Sequence, residues 1–329
     1  MTIHFTIIGL GEIGTSIGLA LKYQKDNFEI IGCDFYKFAE QQALESGAVV
    51  KIVHNICDSV KNADVIIFSD PHSKTEDLLK LIGNDVRDDA VILDMGSRKT
   101  DALGWAEQYL KFPAHFVGVY PTLNPQWLDE KADGTHTAHE DLFKKGSLFI
   151  AAGLKADKSV VKLAIDFASL LGAYPIFIDA KELDAMISLQ QLMPYLIACA
   201  MVKSVTGSSG WEDTRKMADK ALIQLTGSMG STADENSFSE IFLSHREDLI
   251  RDINQFASSL KELRDLLQER DAGALDTILK QAEIGRQTWF DDYEAGKWRN
   301  IKDDKDDYPS FGSMMGQMFL GGLSGKKKD

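Results

Sequence analysis

Five short stretches of this 329-residue chain carry residue types that do chemistry, at spacings that would let them. The first is Gly9-Leu10-Gly11-Glu12-Ile13-Gly14, a GxGxxG that follows a β-rich run and opens a helical pattern. In that setting Gly9 permits a tight turn, Gly11 lets backbone approach a diphosphate, and Gly14 lets helix pack on strand. Glu12 and Ile13 lie in the same phosphate-facing turn. The second stretch, Gly32-Cys33-Asp34, ends another β-rich run and places Asp34 where a ribose-binding carboxylate is expected. A carboxylate there accepts from ribose hydroxyls and repels a 2′-phosphate. The expected cofactor is therefore NAD, with NADP kept as the lesser option by nearby Lys37.

The remaining three stretches follow later β-rich runs. Asp70-Pro71-His72 comes after DVIIF and would border the nicotinamide half of the cofactor. His72 reads equally as a functional group or as a loop histidine capping the next helix. After AVILD comes Met95-Gly96-Ser97-Arg98-Lys99-Thr100, which puts Ser97 and Lys99 at the sheet edge where ligands bind. Ser97 also stands where a serine would cap a helix beginning near Asp101, and both roles can hold at once. Finally, VGVYPTLNP brings Tyr120 down to the same edge. A phenol titrates near ~10 and is a weak base at neutral pH unless neighbouring cations lower it. Lys99 is a candidate cation. A Ser97–Tyr120–Lys99 group could then accept a carbinol proton during hydride removal; in the other reading Tyr120 only lines the pocket.

These residues need a scaffold that brings strand ends together, and the first half of the chain has its pattern. Strands are expected at 4–8, 29–33, 64–68, 90–94 and 115–119, with two more in SLFIAAG and YPIFID. Near-continuous apolar strands separated by helices predict a mostly parallel, doubly wound sheet of Rossmann type. From about Lys181 the pattern is helical throughout, with helices expected at 181–206, 213–227, 236–270 and 272–294. The expected domains are 1–179 for the dinucleotide and an all-α dimerisation and substrate domain at 180–296, followed by a tail at 297–329. The apolar stripe of 236–270 would close against a second copy of the chain.

Bulk properties narrow the function. A net charge of −14 argues against nucleic acid as partner, and the terminal Lys326-Lys327-Lys328 reads as a solvated tail. No leader-like N-terminus and no apolar run of membrane-spanning length is evident, so a cytoplasmic protein without a membrane partner is expected. Cys33, Cys57 and Cys199 are far apart and form no CxxC. His136 and His139, in the polar loop 129–141, have no fixed acidic or cysteine partners, and no metal site is expected.

Taken as a set, these motifs resemble the prephenate/arogenate dehydrogenase family. GLGEIGTSIGLALK, MGSRKTD and VGVYPTLNP are similar, in order and spacing, to its glycine loop, its Gly-Ser-x-Lys and its Gly-x-His-Pro. LDAMISLQQLMPYLIA resembles the helix entering its second domain. Glu212-Asp213-Thr214-Arg215 resembles its Asp-Thr-Thr-Arg, and EIFLSHREDL its Asp-Ile-Phe-x-x-Asn-Arg-Glu. The likeness covers most of residues 3–295. It implies an NAD(P)-linked oxidative decarboxylation of a prephenate-like cyclohexadienyl carboxylate, in aromatic amino-acid synthesis. By position Ser97 matches an assisting serine and Arg215 an arginine that holds a substrate carboxylate, which adds Arg215 to Lys99 as a candidate cation for Tyr120. Read without the resemblance, Arg215 pairs with Glu212 on a helix. The family's catalytic histidine is replaced by Tyr120, and a second histidine by Gln190 or Gln191, of which Gln191 is assigned to the substrate side. His245 stands where the family tends to carry Asn. With both histidines lost, a dinucleotide-binding but catalytically silent member is the alternative, as is a dehydrogenase for another hydroxy or amino acid.

Overall fold

The computed structural model describes residues 2–22, 27–69, 75–128, 135–230 and 235–296. Asp70, Pro71 and His72, and the tail at 297–329, lie outside the described residues. Two compact units divide the chain, Met1–Leu183 and Asp184–Asn300.

The first unit alternates strands and helices in chain order. These are β1 (Ile3–Ile8), α1 (Glu12–Lys22), β2 (Phe28–Cys33), α2 (Lys37–Glu45), β3 (Lys51–Ile52), α3 (Ile56–Val60), β4 (Val65–Phe68) and α4 (Thr75–Ile82). They continue as β5 (Val91–Asp94), α5 (Lys99–Tyr109), β6 (Phe116–Pro121), β7 (Ser147–Ala152), α6 (Lys158–Leu170) and β8 (Tyr174–Phe177). The strand order is β3-β2-β1-β4-β5-β6-β7-β8. β4 and β5 are buried at every residue, because helices cover both faces of the sheet. Alternating residues serve opposite layers: Phe5 and Ile7 join Ile17 and Leu21 of α1 and Phe167 of α6. Ile8, Phe68 and Ile92 join Leu79 of α4 and Ala106 of α5. β1 lies between β2 and β4, so successive crossovers leave it in opposite directions, opening a crevice at its carboxyl end.

Two features depart from the sequence reading. The two-residue edge strand β3 carries too little apolar pattern to be found from sequence. β6 extends through Pro121, so Tyr120 lies inside a strand, opposite Phe149 of an antiparallel β7. The β6–β7 connection has no crossover helix among the described residues, and a strand that returns without one runs antiparallel.

The second unit is helical. The segment at 181–206 forms α7 (Ala180–Ile187), a π-helical turn Ser188–Leu192, and α8 (Met193–Thr206) with a proline in its first turn. Pro194 supplies no N–H to the preceding turn, and the wider π turn just before it absorbs that gap. Together these make one helix, Ala180–Thr206, that is long and apolar enough by length and composition to cross a membrane. The sequence reading missed it because uncharged Ser188, Gln190 and Gln191 interrupt the apolar run without lowering its mean hydropathy much. One such helix is weak evidence for a span.

Two other expected helices are broken. The 213–227 segment splits into α9 (Trp211–Thr214), a 3-10 turn and α10 (Lys220–Thr226), where Asp219 takes the Lys220 N–H and starts α10 afresh. The 236–270 segment splits at His245 into α11 (Glu235–Ser244) and α12 (Arg246–Glu269). His245 leaves helical geometry with its side chain fully buried, so the junction is set by packing rather than by local propensity. α13 (Ala272–Glu294) follows, its N-terminus capped by Asp271 accepting from Ala274 N–H.

Candidate functional site

At the carboxyl end of β1 the backbone turns at Gly9, whose φ of 97° is strained for any residue with a Cβ. The turn is tied on two sides. Gly9 N–H donates to the Cys33 carbonyl at 2.9 Å, and Ser69 Oγ at the end of β4 donates to the Gly9 carbonyl at 2.6 Å. A Cβ on Gly14 would overlap the Gly9 carbonyl oxygen and come within 2.5 Å of Ser69 Oγ. A Cβ on Gly11 would meet nothing within 4 Å, so the backbone there faces open space. The three glycines thus have separate jobs: turn, open approach and close packing. α1 begins at Glu12, so the N–H groups of its first turn, including those of Glu12 and Ile13, lie at the helix end beside that space.

Asp34 leaves β2 beside this turn. Its Oδ2 accepts from Leu10 N–H at 2.6 Å and its Oδ1 from Tyr36 N–H at 2.7 Å. A carboxylate oxygen can accept more than one hydrogen bond, so both retain capacity toward a diol while the backbone fixes their direction. This chain fits a dinucleotide: an open backbone edge at a helix N-terminus for a diphosphate, and a pre-oriented carboxylate beside it for a ribose. Behind Asp34 lies buried Glu40 of α2, whose Oε1 accepts from Asp34 N–H at 3.2 Å and meets His54 Nδ1 at 2.9 Å. Nothing in the sequence pattern singled out Glu40 or His54.

At the next two strand ends the arrangement differs from expectation. Lys99 is fully buried. Its Nζ donates to the Asp94 carbonyl at 2.6 Å and meets Asp94 Oδ2 at 3.3 Å. The other carboxylate oxygen of Asp94 accepts from Thr75 Oγ1 at 2.9 Å. Two motif glycines make room for this pair. A Cβ on Gly118 would fall 2.8 Å from Lys99 Cδ, and one on Gly96 2.7 Å from Thr75 Oγ1. Asp94 thus holds the Lys99 ammonium beneath the sheet edge. Asp94 was legible only as the polar residue closing an apolar strand.

Tyr120 follows Gly118 on β6, partly buried, and burial alone pushes its phenol up to about 12. No cation is among the causes of that shift. Among the described residues no hydrogen bond joins it to Ser97, which lies partly buried in the turn from β5 to α5. Ser97 does not cap α5 either: the cap position is Arg98, which makes no capping bond and pairs with Asp101 at 3.0 Å. In the second unit Arg215 is half-exposed and pairs with Glu212 at 2.8 Å. Gln190 and Gln191 are exposed on the π turn. Asp70 and Pro71 lie outside the described residues. His139 stacks flat on Trp127, ring centroids 3.6 Å apart, and its backbone N–H donates to Ser16 Oγ at 3.0 Å. Among the described residues no cluster of three metal-ligating side chains occurs.

A family profile described as "Prephenate dehydrogenase, nucleotide-binding domain" matches residues 17–176. The chain is 24% identical over 279 residues to a prephenate dehydrogenase of Bacillus subtilis (strain 168), covering 84% of this chain and 73% of that protein. It is 26% identical over 290 residues to a prephenate dehydrogenase of Lactococcus lactis subsp. cremoris (strain MG1363), covering 85% and 76%. Its fold matches the structure of a prephenate dehydrogenase from A. aeolicus, in complex with hydroxyphenyl propionate and NAD+. That match has a TM-score of 0.77 and 22% identity over 88% of this chain and 98% of that one. A Synechocystis arogenate dehydrogenase matches with a TM-score of 0.69 and 17% identity, over 87% and 100%.

Proposed function

We propose that the chain is a member of the prephenate/arogenate dehydrogenase family, whose nucleotide-binding profile it matches over residues 17–176, and that it is a cytoplasmic NAD-dependent dehydrogenase of aromatic amino-acid metabolism. Its reaction would be the oxidative decarboxylation of a prephenate-like cyclohexadienyl carboxylate. The observation that carries the reading is the glycine turn with Asp34 held against it by Leu10 N–H. NAD+, when bound, supplies the hydride acceptor. Gly9, Gly11 and Gly14, with the N–H groups of Glu12 and Ile13, would hold its diphosphate and Asp34 its ribose.

In the balance of that reaction the ring loses a hydride and carbon dioxide, and the hydroxyl keeps its proton in the phenolic product. The site therefore has to orient the hydroxyl more than deprotonate it. Tyr120, protonated below about pH 12, would hold that hydroxyl by a hydrogen bond, accepting it on the phenol oxygen, and Ser97, in the turn after β5, would assist. Arg215 and Gln191 would face the substrate carboxylates, since a guanidinium fork suits a carboxylate. NADH appearance with prephenate and with arogenate tests the reading directly. Tight NAD+ binding without turnover of either would favour the silent alternative.

The Tyr120 role has its own expected outcome. Because the pKa is raised, the phenol is neutral from pH 5 to 10 and contributes no limb near ~6.5, where an imidazole would. Tyr120→Phe should cost roughly 2–12-fold in kcat, the worth of one hydrogen bond. A lost general base would cost ~10²–10⁴-fold. A fall in the larger range, or a neutral-pH limb that disappears in the variant, would sink the orienting role.

The helical unit would pair with a second copy. α12 leaves Ile250, Ile253, Leu260 and Leu267 exposed, and α13 leaves Leu279, Ile284 and Trp289 exposed, more apolar surface than a lone helical pair presents. Sedimentation equilibrium should give twice the chain mass, and Leu260→Glu with Leu267→Glu should give one. A wild-type monomer would reject the dimer.

A further inference from the structure

Resting on the dinucleotide reading, we propose that Glu40 is a second determinant of cofactor choice, setting NAD over NADP together with Asp34. The argument starts from where its charge sits. Glu40 is 5% exposed, yet its carboxylate is bonded to the backbone N–H of the very residue expected to hold the ribose. Asp34 is thereby fixed from three sides: Leu10 N–H and Tyr36 N–H on its carboxylate, and Glu40 on its own N–H.

Two carboxylates so close in a partly desolvated site produce a negative potential that neither would produce alone. Cys33, next to Asp34 in sequence and fully buried, registers it. Its thiol is pushed up to about 11, by burial first, then by Glu40, with Asp34 adding to the effect. The countercharge on this side is limited. His54 bonds Glu40 and is half-exposed, and Lys37, the first residue of α2, is exposed to solvent, where its charge is screened.

A ribose hydroxyl is neutral and is indifferent to the second charge. A 2′-phosphate carries nearly two negative charges and meets both carboxylates. Glu40 therefore discriminates without touching the NAD ribose: it is buried behind Asp34 and acts through its field and through the orientation it gives Asp34.

Binding measurements on wild type, Glu40→Gln and Glu40→Ala test this, with NAD+ and NADP+ titrated separately by calorimetry. Glutamine keeps an oxygen that accepts from Asp34 N–H and removes the charge. The expected result is NADP+ binding roughly five- to tenfold tighter in Glu40→Gln, with NAD+ affinity within about twofold of wild type. Alanine removes the acceptor too, and should weaken NAD+ while still improving the ratio toward NADP+. An unchanged NADP+/NAD+ ratio in both variants, or equal weakening of both cofactors, would overturn the proposal and leave Glu40 a support for the loop. Wild-type protein that binds neither dinucleotide would refute the cofactor reading itself, and this inference with it.

Discussion

Lys99→Met should lower the stability of the first unit by about 3–5 kcal/mol, more than any surface substitution on the chain. The reason is asymmetry. Asp94 and Lys99 are both fully buried, and methionine fills the volume of the lysine stem while leaving the Asp94 carboxylate without its cation. Thr75 Oγ1 still donates to that carboxylate, but one neutral hydrogen bond does not replace a charge partner in a dry site. For a unit of this size the loss corresponds to a fall in Tm of roughly 6–20 °C. The double variant Asp94→Asn with Lys99→Met should recover much of it, because no uncompensated charge remains. Thermal unfolding of wild type, Lys99→Met, Asp94→Asn and the double variant forms a cycle that isolates the pair. A Lys99→Met protein as stable as wild type would show that the ammonium is not held by Asp94. If the substitution instead spared stability and abolished turnover alone, Lys99 would be a catalytic group after all.

Gly14→Ala should damage both folding and cofactor binding. The added methyl overlaps the Gly9 carbonyl oxygen and crowds Ser69 Oγ, and both belong to the bonded turn that sets the open edge at Gly11. Neither neighbour is the free end of a flexible side chain, so α1 has to move away from β1. Overpacking of this kind costs about 1–3 kcal/mol. The displaced helix N-terminus should weaken NAD+ at least tenfold, since its N–H groups no longer converge on the diphosphate. Gly11→Ala is the contrasting case: its methyl enters open space, so stability should hold within about 0.5 kcal/mol while NAD+ binding falls. Urea unfolding and NADH fluorescence titration read the two effects separately. Equal stability and equal affinity for Gly14→Ala would contradict the packing argument.

Much of the cofactor end was written in short-range pattern. Gly9, Gly11, Gly14 and Asp34 announce themselves by residue type and spacing, because each answers a local backbone demand or presents a lone charge at a strand end. The alternating apolar runs likewise determined which residues face which layer of the sheet, since strand side chains alternate with a period of two. The substrate end was less legible. Lys99 reads from sequence as a catalytic cation, and only the packing of β5 against β6 shows that its ammonium is consumed by Asp94 and that Gly118 exists to make room for its stem.

VGVYP shows the same division. The tyrosine's identity and its strand were readable, and so was the departure from a family histidine. Its protonation was not, because a phenol's pKa depends on how much water and which charges surround it, and those come from parts of the chain far apart in sequence. Glu40 and His54, fourteen residues apart, carry no motif and meet only because α2 folds back on the end of β2. Residue types and periods specified the sheet, the turn and the ribose carboxylate, each of which depends on neighbours within a few residues. Burial and charge pairing decided what Lys99, Tyr120 and Glu40 can do, since both depend on which distant side chains share the same dry space.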